Sequence, residues 1–204
     1  MIIFSSGIVL TANENSSLLH VVPDAETWLS STITEKARLR RDALIEEWRP
    51  TLYADASVTE LPANPDDLAT LILARSDYKT RVQQDAAADP VIATSTTNRD
   101  VYGYGTPNVL ESTPAITRSG STVTLFSSGI TIADLSGNCI LAFVQNLEEL
   151  VIGALMGQVN RGKKQMIAKY HPIIMADASV TTMPATEDGL ITMILARSDY
   201  VRGG

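Results

Sequence analysis

The chain has 204 residues, of which 45% are hydrophobic and 19% charged, and its formal net charge is −7. This composition is typical of a folded protein with one large or two small domains, and the acidic balance argues against non-specific nucleic-acid binding, which requires basic surface. Cys139 is the only cysteine, so an intrachain disulfide and a cysteine-rich metal site are both excluded.

The chain is predicted to begin with a short β-prone segment, IIFSSGIVL at residues 2–10. Ser-Ser-Gly between two apolar runs suits a three-residue hairpin loop in which Gly7 takes a positive φ. A single bent strand is the alternative interpretation. The segment lacks the basic region and the long apolar core of a secretory signal, so no such signal is expected.

A long helix is predicted next, from Pro23 or Asp24 to Arg49, with Pro50 as its stop. Apolar residues recur along it at helical spacing and form one stripe for burial. The stripe consists of Leu29, Ile33, Ala37, Leu44 and Trp48.

A loop and a short helix follow, the helix covering roughly residues 65–75. Asn64 suits its N-cap, and Pro65 suits its first helical position. At the end of the helix, Arg75 complements the helix dipole. Tyr78 is expected to pack its ring while its hydroxyl stays in water.

Residues 83–122 are rich in Ser, Thr, Gly and Pro and show no helical periodicity, which predicts an extended linker. Two interpretations stay open, a flexible tether and an ordered arm laid across a neighbouring subunit. Tyr102 and Tyr104, in DVYGYG, would serve such an arm as aromatic anchors and are candidate interface residues.

From residue 123 onwards the sequence repeats its beginning with an offset of 122 residues. Residues 1–82 align without gaps with 123–204 and share 28 identical positions, of which 18 lie between residues 54 and 78. The longest identical segment, ILARSDY, stands at 72–78 and 194–200. Solenoid repeats are shorter, roughly 20–50 residues. We therefore predict a tandem duplication that gives two small domains, repeat 1 (1–82) and repeat 2 (123–204), joined by the linker.

The predicted fold class is mainly α (α+β), because each repeat carries a short β-hairpin or strand, a long helix, a turn and a short helix. In repeat 2, Thr186 and Glu187 stand where repeat 1 has Asn64 and Pro65, and they also suit a helix start. The most apolar stretch of the chain, CILAFVQNLEELVIGALMG, contains Gln, Asn and Glu side chains that would be costly in hydrocarbon. No membrane span is therefore expected.

The long helix of repeat 2 differs from that of repeat 1 on one face. Ile152 and Met156 stand at the positions of Ser30 and Thr34, and glycines one turn apart beside them let another backbone approach closely. The candidate interface residues on this face are Ile152, Gly153, Met156 and Gly157. Because an apolar helix face must be covered, we predict burial against other subunits or against repeat 1. A larger core within repeat 2 is the alternative.

The ionisable residues form no pattern typical of catalysis or of a metal site. His20 and His171 are the only histidines, and neither is repeated. Repeated aspartates remain as candidates, since paired carboxylates bind divalent cations or transfer protons; they are Asp55, Asp77, Asp177 and Asp199. Their spacing matches no calcium loop, and hydrogen bonds from nearby backbone amides in turns explain them. We predict no enzyme activity, no metal and no cofactor.

The segments HVVPDAETW, EEWRP, LPA and ILARSDYKTR, over roughly residues 18–82, resemble small helical structural proteins of tailed bacteriophages. The front of this pattern is absent from repeat 2. There His20, Asp24 and Trp28 are replaced by Ala142, Asn146 and Leu150. The resemblance implies a virion or virion-assembly context.

These features together predict a non-enzymatic structural protein of a tailed-phage virion that bridges neighbouring subunits as a neck, tail or capsid-decorating component. Its expected partners are other virion proteins and further copies of itself, without recognition of a nucleic-acid sequence and without a membrane. It would occupy the host cytoplasm during assembly and the virion afterwards. The alternative is a soluble adaptor or assembly factor that binds a protein partner transiently.

Overall fold

The computed structural model describes residues 1–88 and 122–202, and this part of the chain is mainly helical with a few short strands, as the sequence predicts. The strands are β1 (Ile2–Ile3), β2 (Ile8–Thr11), β3 (Thr122–Leu125) and β4 (Ile130–Thr131). The helices are α1 (Ala12–Val21), α2 (Ala25–Ala54), α3 (Pro65–Leu73), α4 (Arg81–Ala88), α5 (Asp134–Leu141), α6 (Leu147–Ala176) and α7 (Glu187–Leu195).

The bounds of the main helices recur at the offset of the sequence repeat. The long helices α2 and α6 each have 30 residues, and their first residues are 147 − 25 = 122 positions apart. The short helices α3 and α7 each have 9 residues and begin 187 − 65 = 122 positions apart. Local structure therefore follows the repeat, while the duplication that we infer behind it stays a prediction.

The two strands of one repeat pair with the strands of the other repeat rather than with each other, so the predicted hairpin within each repeat was wrong. β1 pairs antiparallel with β4, and β2 pairs antiparallel with β3. Between β1 and β2 the chain turns through Phe4-Ser-Ser-Gly7, where the Gly7 amide donates to the Phe4 carbonyl at 2.7 Å. Gly7 has φ +78° and Gly129 has φ +80°, which confirms the predicted positive φ. A Cβ at Gly7 would also lie 2.7 Å from the Leu125 carbonyl oxygen, so glycine is needed for space as well.

Helix α1 was not expected from the apolar pattern, because its sequence ANENSSLLHV is half polar. Its start is fixed by a capping box: the Thr11 hydroxyl accepts from the Glu14 amide at 3.2 Å, and the Thr11 amide donates to the Glu14 carboxylate at 2.7 Å. The Thr-x-x-Glu spacing that produces this box is visible in the sequence and is the signal that would have found the helix.

The long helix of repeat 1 continues past Pro50 to Ala54, so the predicted end at Arg49 was wrong. Its counterpart in repeat 2 likewise contains Pro172 and ends at Ala176. Proline inside a helix removes a hydrogen bond and costs about 3 kcal/mol. The turn after each proline offsets part of that cost by burying Leu52 and Ile174, each 1% exposed.

The apolar stripe predicted for the long helix of repeat 1 is confirmed. Four of its side chains are buried and the Trp48 side chain is half-buried. Asp24 stands just before the helix, where its carboxylate accepts from the Thr27 amide at 3.0 Å. The predicted N-caps of the short helices are also confirmed, because Asn64 accepts from the Asp66 amide and Thr186 accepts from the Gly189 amide.

The described residues divide into two compact units, and each unit combines parts of both repeats. Unit 1 consists of 1–35, 122–132 and 148–202, and unit 2 consists of 36–88 and 133–147. In unit 1, α1 of repeat 1 packs on α7 of repeat 2. In unit 2, α5 of repeat 2 packs on α3 of repeat 1. The predicted domains 1–82 and 123–204 are the repeats of the sequence. The compact units have other bounds, because contacts form between the two repeats.

Each unit has its own cluster of buried apolar side chains. In unit 2 the cluster consists of Leu44, Ile45, Leu52, Leu68, Ala69, Ile72, Cys139 and Ala142. In unit 1 a cluster consists of Met166, Tyr170, Ile174, Ile191 and Ile194. Burial raises the pKa of the Cys139 thiol, and this residue serves as a small apolar side chain of the core.

The first residues of the predicted linker, 83–88, belong to α4. This helix begins with a reciprocal cap, in which the Thr80 amide donates to the Gln83 side chain at 2.9 Å and the Gln83 amide donates to the Thr80 hydroxyl at 3.4 Å. Tyr102 and Tyr104 lie outside the described residues.

Candidate functional site

The repeated segments ADASVT and ILARSDY build the same ionic cluster in both units. In unit 2 the Arg75 guanidinium lies 2.7 Å from an Asp55 carboxylate oxygen and 2.8 Å from an Asp77 carboxylate oxygen. In unit 1 the corresponding distances from Arg197 are 3.0 Å to Asp177 and 2.7 Å to Asp199. The carboxylates that the sequence offers as candidate ligands are therefore each paired with an arginine of their own unit.

Asp55 and Asp177 also hold the loop that follows each long helix. Asp55 accepts from the Ser57 amide at 2.9 Å and from the Ser57 hydroxyl at 2.6 Å. Asp177 accepts from the Ser179 amide at 3.0 Å and from the Ser179 hydroxyl at 2.6 Å. The prediction that nearby backbone amides explain these two aspartates is confirmed.

The pKa values of the cluster follow from these contacts. The hydrogen bond from the Ser57 hydroxyl, followed by those from Arg75 and the Ser57 amide, lowers the pKa of Asp55 to about 2. The equivalent bonds from Ser179 and then Arg197 lower the pKa of Asp177. The charged carboxylates are thus the forms that the fold stabilises, whereas a proton-transfer group requires a pKa nearer to the working pH.

Acidification should weaken both clusters. Because the folded-state pKa of Asp55 is depressed, its contribution is complete above the unfolded value of 3.8 and is lost as pH falls from about 4 towards 2. We expect a double variant, Asp55→Asn with Asp177→Asn, to melt at a lower temperature than the wild type at pH 7. The difference between them should shrink as the pH is lowered through that window.

Thermal melts followed by circular dichroism at several pH values would measure this convergence. The matched control is Glu60→Gln, which changes an exposed carboxylate and should melt in parallel with the wild type. Melting temperatures of the double variant that stay parallel to the wild type down to pH 2 would contradict the assigned role of the clusters.

Aromatic side chains next to the clusters differ between the units. In unit 2 the Arg75 guanidinium lies 5.8 Å from the Trp48 ring, which itself lies 6.0 Å from the Tyr78 ring. Unit 1 has Tyr170 at the position of Trp48, and the Tyr170 hydroxyl accepts from the Val201 amide at 2.9 Å. The hydroxyls of Tyr78 and Tyr200 are buried without a hydrogen-bond partner among the described residues. The expectation of a water-exposed Tyr78 hydroxyl was therefore wrong, because the side chain is buried as far as its hydroxyl oxygen.

His20 is buried in unit 1 at 5% exposure, and its ring stacks on Tyr200 with centroids 6.1 Å apart. Burial, and secondly the positive charge of Lys169, lowers the pKa of His20. The neutral imidazole is therefore the form that the core accommodates. The equivalent position in unit 2 is the apolar Ala142, so unit 1 holds the more polar version of the same packing site.

The candidate interface residues of α6 lie together on one part of its surface. The Ile152 and Met156 side chains are half-buried, whereas Gly153 and Gly157 are exposed. A Cβ at either glycine would meet no atom within 4 Å. We call these four residues the apolar strip. At the equivalent positions of α2, Ser30 and Thr34 are exposed.

Further exposed apolar side chains lie in the last turn of each long helix. Ile173 and Met175 are 40% and 64% exposed in α6, and Tyr53, at the position of Met175, is 70% exposed in α2. Sequence reasoning missed them because the prolines were taken to end the helices. The continued apolar run after Pro172 was the signal that would have found the two residues of α6.

Within 1–88 and 122–202, the His, Cys, Asp and Glu side chains form no group of three or more that could hold a metal ion. The helices in the same residues include none with the length and apolar character required to cross a bilayer.

Comparison of the chain with protein-family models, with curated proteins and with solved structures found no match.

Proposed function

We propose that this chain is a non-enzymatic structural protein of a tailed-phage particle, where it bridges neighbouring subunits as a neck, tail or capsid-decorating component. The observation that carries the proposal is the apolar strip. Half-buried Ile152 and Met156 lie there beside two exposed glycines, and repeat 1 has exposed polar side chains instead. The phage setting comes from the resemblance of residues 18–82 to small helical phage proteins.

The glycines of the strip support a docking role. Glycine inside a helix costs roughly 0.5–1 kcal/mol relative to alanine, and α6 carries Gly153 and Gly157 within one turn of each other. Neither glycine is required by a neighbour in its own unit, since the space over both is open. Close approach by the backbone of a partner gives a physical reason for glycine at both positions.

The repeated ionic clusters support a structural role over a chemical one. All four repeated aspartates accept hydrogen bonds from an arginine of the same unit. Asp55 and Asp177 accept two further bonds from serines that fix a loop. A carboxylate held in this way supports a loop and a helix end, whereas a metal ligand or general base must offer a free lone pair to its substrate or ion.

Substitution of a single side chain in the strip tests the proposal. Met156→Lys is expected to abolish assembly, because it places a charge in a face that must be desolvated on docking. Thr34→Lys, at the equivalent exposed position of repeat 1, is the matched control and should leave assembly and melting nearly unchanged. Sedimentation velocity gives the oligomeric state, and circular dichroism shows that each variant folds. An unchanged oligomeric state and an unchanged melting curve for Met156→Lys would remove the strip as an interface.

Mass spectrometry of purified particles separates the proposal from its alternative. A virion component is expected in fixed stoichiometry with the other particle proteins. Absence from finished particles that nevertheless require the chain for assembly would favour the transient adaptor or assembly factor.

A further inference from the structure

We infer that the pairing between the two repeats also forms between two copies of this chain, so that repeat 1 of one copy pairs with repeat 2 of another. The inference rests on the bridging function proposed above and names the partner for it, a second copy. It concerns the leading segment of each repeat, which is 1–21 (β1, β2 and α1) in repeat 1 and 122–141 (β3, β4 and α5) in repeat 2.

The helix of each leading segment packs on the short helix of the other repeat. In unit 1, the side-chain amide of Asn13, in α1, donates to the Thr192 hydroxyl at 2.9 Å and to the Asp188 carbonyl at 3.1 Å, both in α7. In unit 2, Cys139 of α5 belongs to the same buried cluster as Ile72 of α3. Each repeat therefore contributes a helix that packs on the other repeat.

The strands of the leading segments pair in the register of a two-fold interface. Ile3 lies opposite Ile130, and Ile8 lies opposite Leu125. Ile3 and Leu125 occupy equivalent positions in the repeats, as do Ile8 and Ile130, so the same contact is made twice with the roles of the repeats reversed. Self-complementary contacts of this kind are the form in which two copies of one chain associate.

Two hydrogen bonds between the repeats have the same symmetry. The Phe4 amide donates to the Glu148 carboxylate at 3.2 Å, and the Phe126 amide donates to the Glu26 carboxylate at 2.7 Å. Glu26 and Glu148 are identical residues at equivalent positions, and each holds the turn of the other repeat. Phe4 and Phe126 have φ of +50° and +51°, so these bonds support a backbone conformation that phenylalanine rarely adopts.

Contacts that cross between repeats build the same unit from one copy or from two copies. Residues 89–121 join the end of α4 to the start of β3, and a segment of that number of residues spans at most about 110 Å. The covalent connection between the repeats favours pairing within one chain by an effective concentration on the order of millimolar. Pairing between chains competes once the protein approaches that concentration, as it does among neighbouring subunits of a particle.

Cysteines placed in strand register distinguish the two arrangements. Val9 and Thr124 are cross-strand partners, and both side chains are exposed. Cα atoms of antiparallel partners lie about 4.5–5.5 Å apart, within disulfide range. Two variants are made in a Cys139→Ala background, one with Val9→Cys and the other with Thr124→Cys. They are refolded together at total concentrations from about 10 µM to about 1 mM, which reaches the expected effective concentration, and are then oxidised.

We expect the mixture to yield a disulfide-linked dimer that rises with concentration and exceeds the dimer formed by either variant alone. The register control replaces Thr124→Cys by Thr122→Cys, which faces Thr11 instead of Val9 and should form less linked dimer. One chain carrying both Val9→Cys and Thr124→Cys should link within itself when dilute and between chains when concentrated. Exclusively intrachain links at every concentration, with no excess dimer in the mixture, would overturn the inference.

That result would leave the proposed bridging function standing if Met156→Lys still prevented assembly. If Met156→Lys had no effect on assembly while the cross-link formed, the apolar strip would be removed as an interface and the pairing between copies would stand.

Discussion

Replacing Ile72 or Ile194 by alanine is expected to lower the free energy of unfolding by about 2–5 kcal/mol. Both side chains are 0% exposed. Ile72 packs in the buried cluster of unit 2 that includes Leu44 and Leu52, and Ile194 packs in the cluster of unit 1 that includes Met166. Each substitution removes methyl and methylene contacts and leaves a cavity that neighbouring helices fill only in part.

Urea denaturation followed by circular dichroism measures the two losses. Val82→Ala and Val201→Ala serve as controls, because these side chains are 51% and 59% exposed, and each should change the free energy of unfolding by less than about 0.5 kcal/mol. A loss below about 1 kcal/mol for Ile72→Ala or Ile194→Ala would contradict the packed core of the corresponding unit.

Gly162→Ala is expected to destabilise the protein by about 1–3 kcal/mol, the usual cost of an overpacked contact. A Cβ at Gly162, in α6, would overlap the backbone carbonyl of Ser17, in α1. A backbone carbonyl cannot swing aside as the end of a side chain can, so the two helices must separate. The separation would loosen the leading segment of repeat 1 from the helices of repeat 2.

The apolar strip provides the matched control for this glycine. Gly153→Ala and Gly157→Ala meet no atom within 4 Å, so each should stabilise the helix by roughly 0.5–1 kcal/mol. Urea denaturation of the three variants should therefore show changes of opposite sign in the free energy of unfolding, although all three glycines lie in one helix. If Gly162→Ala stabilised the protein as the controls do, the close contact between α1 and α6 would be refuted.

Features that depend on neighbouring residues alone were predictable from the sequence. Asn64 and Thr186 cap the short helices because a side-chain oxygen two or three residues ahead of an unpaired amide needs no tertiary partner. Gly7 takes its positive φ because the turn requires it wherever the flanking strands pair. The buried stripe of the first long helix follows in the same way from helical periodicity.

Features that depend on distant residues were not predictable. Arg75 lies 20 residues after Asp55. The two side chains meet only because the fold places the end of α3 beside the end of α2. The helix end at Pro50 was predicted wrongly because the proline rule is local, whereas the burial of Leu52 is decided by the rest of unit 2. The interface role of the apolar strip stays a prediction, since it depends on a partner other than this chain.

The sequence by itself determined the helical class, the repeated helices and their caps, because each depends on spacing within a few turns of chain. Only the tertiary structure decided which strand pairs with which and which helix covers which core. Two repeats with the same apolar alternation and the same turn present the same strands to either partner, so local chemistry does not distinguish pairing within a repeat from pairing across repeats. Helix packing distinguishes them, because α1 and α5 each pack on the short helix of the other repeat.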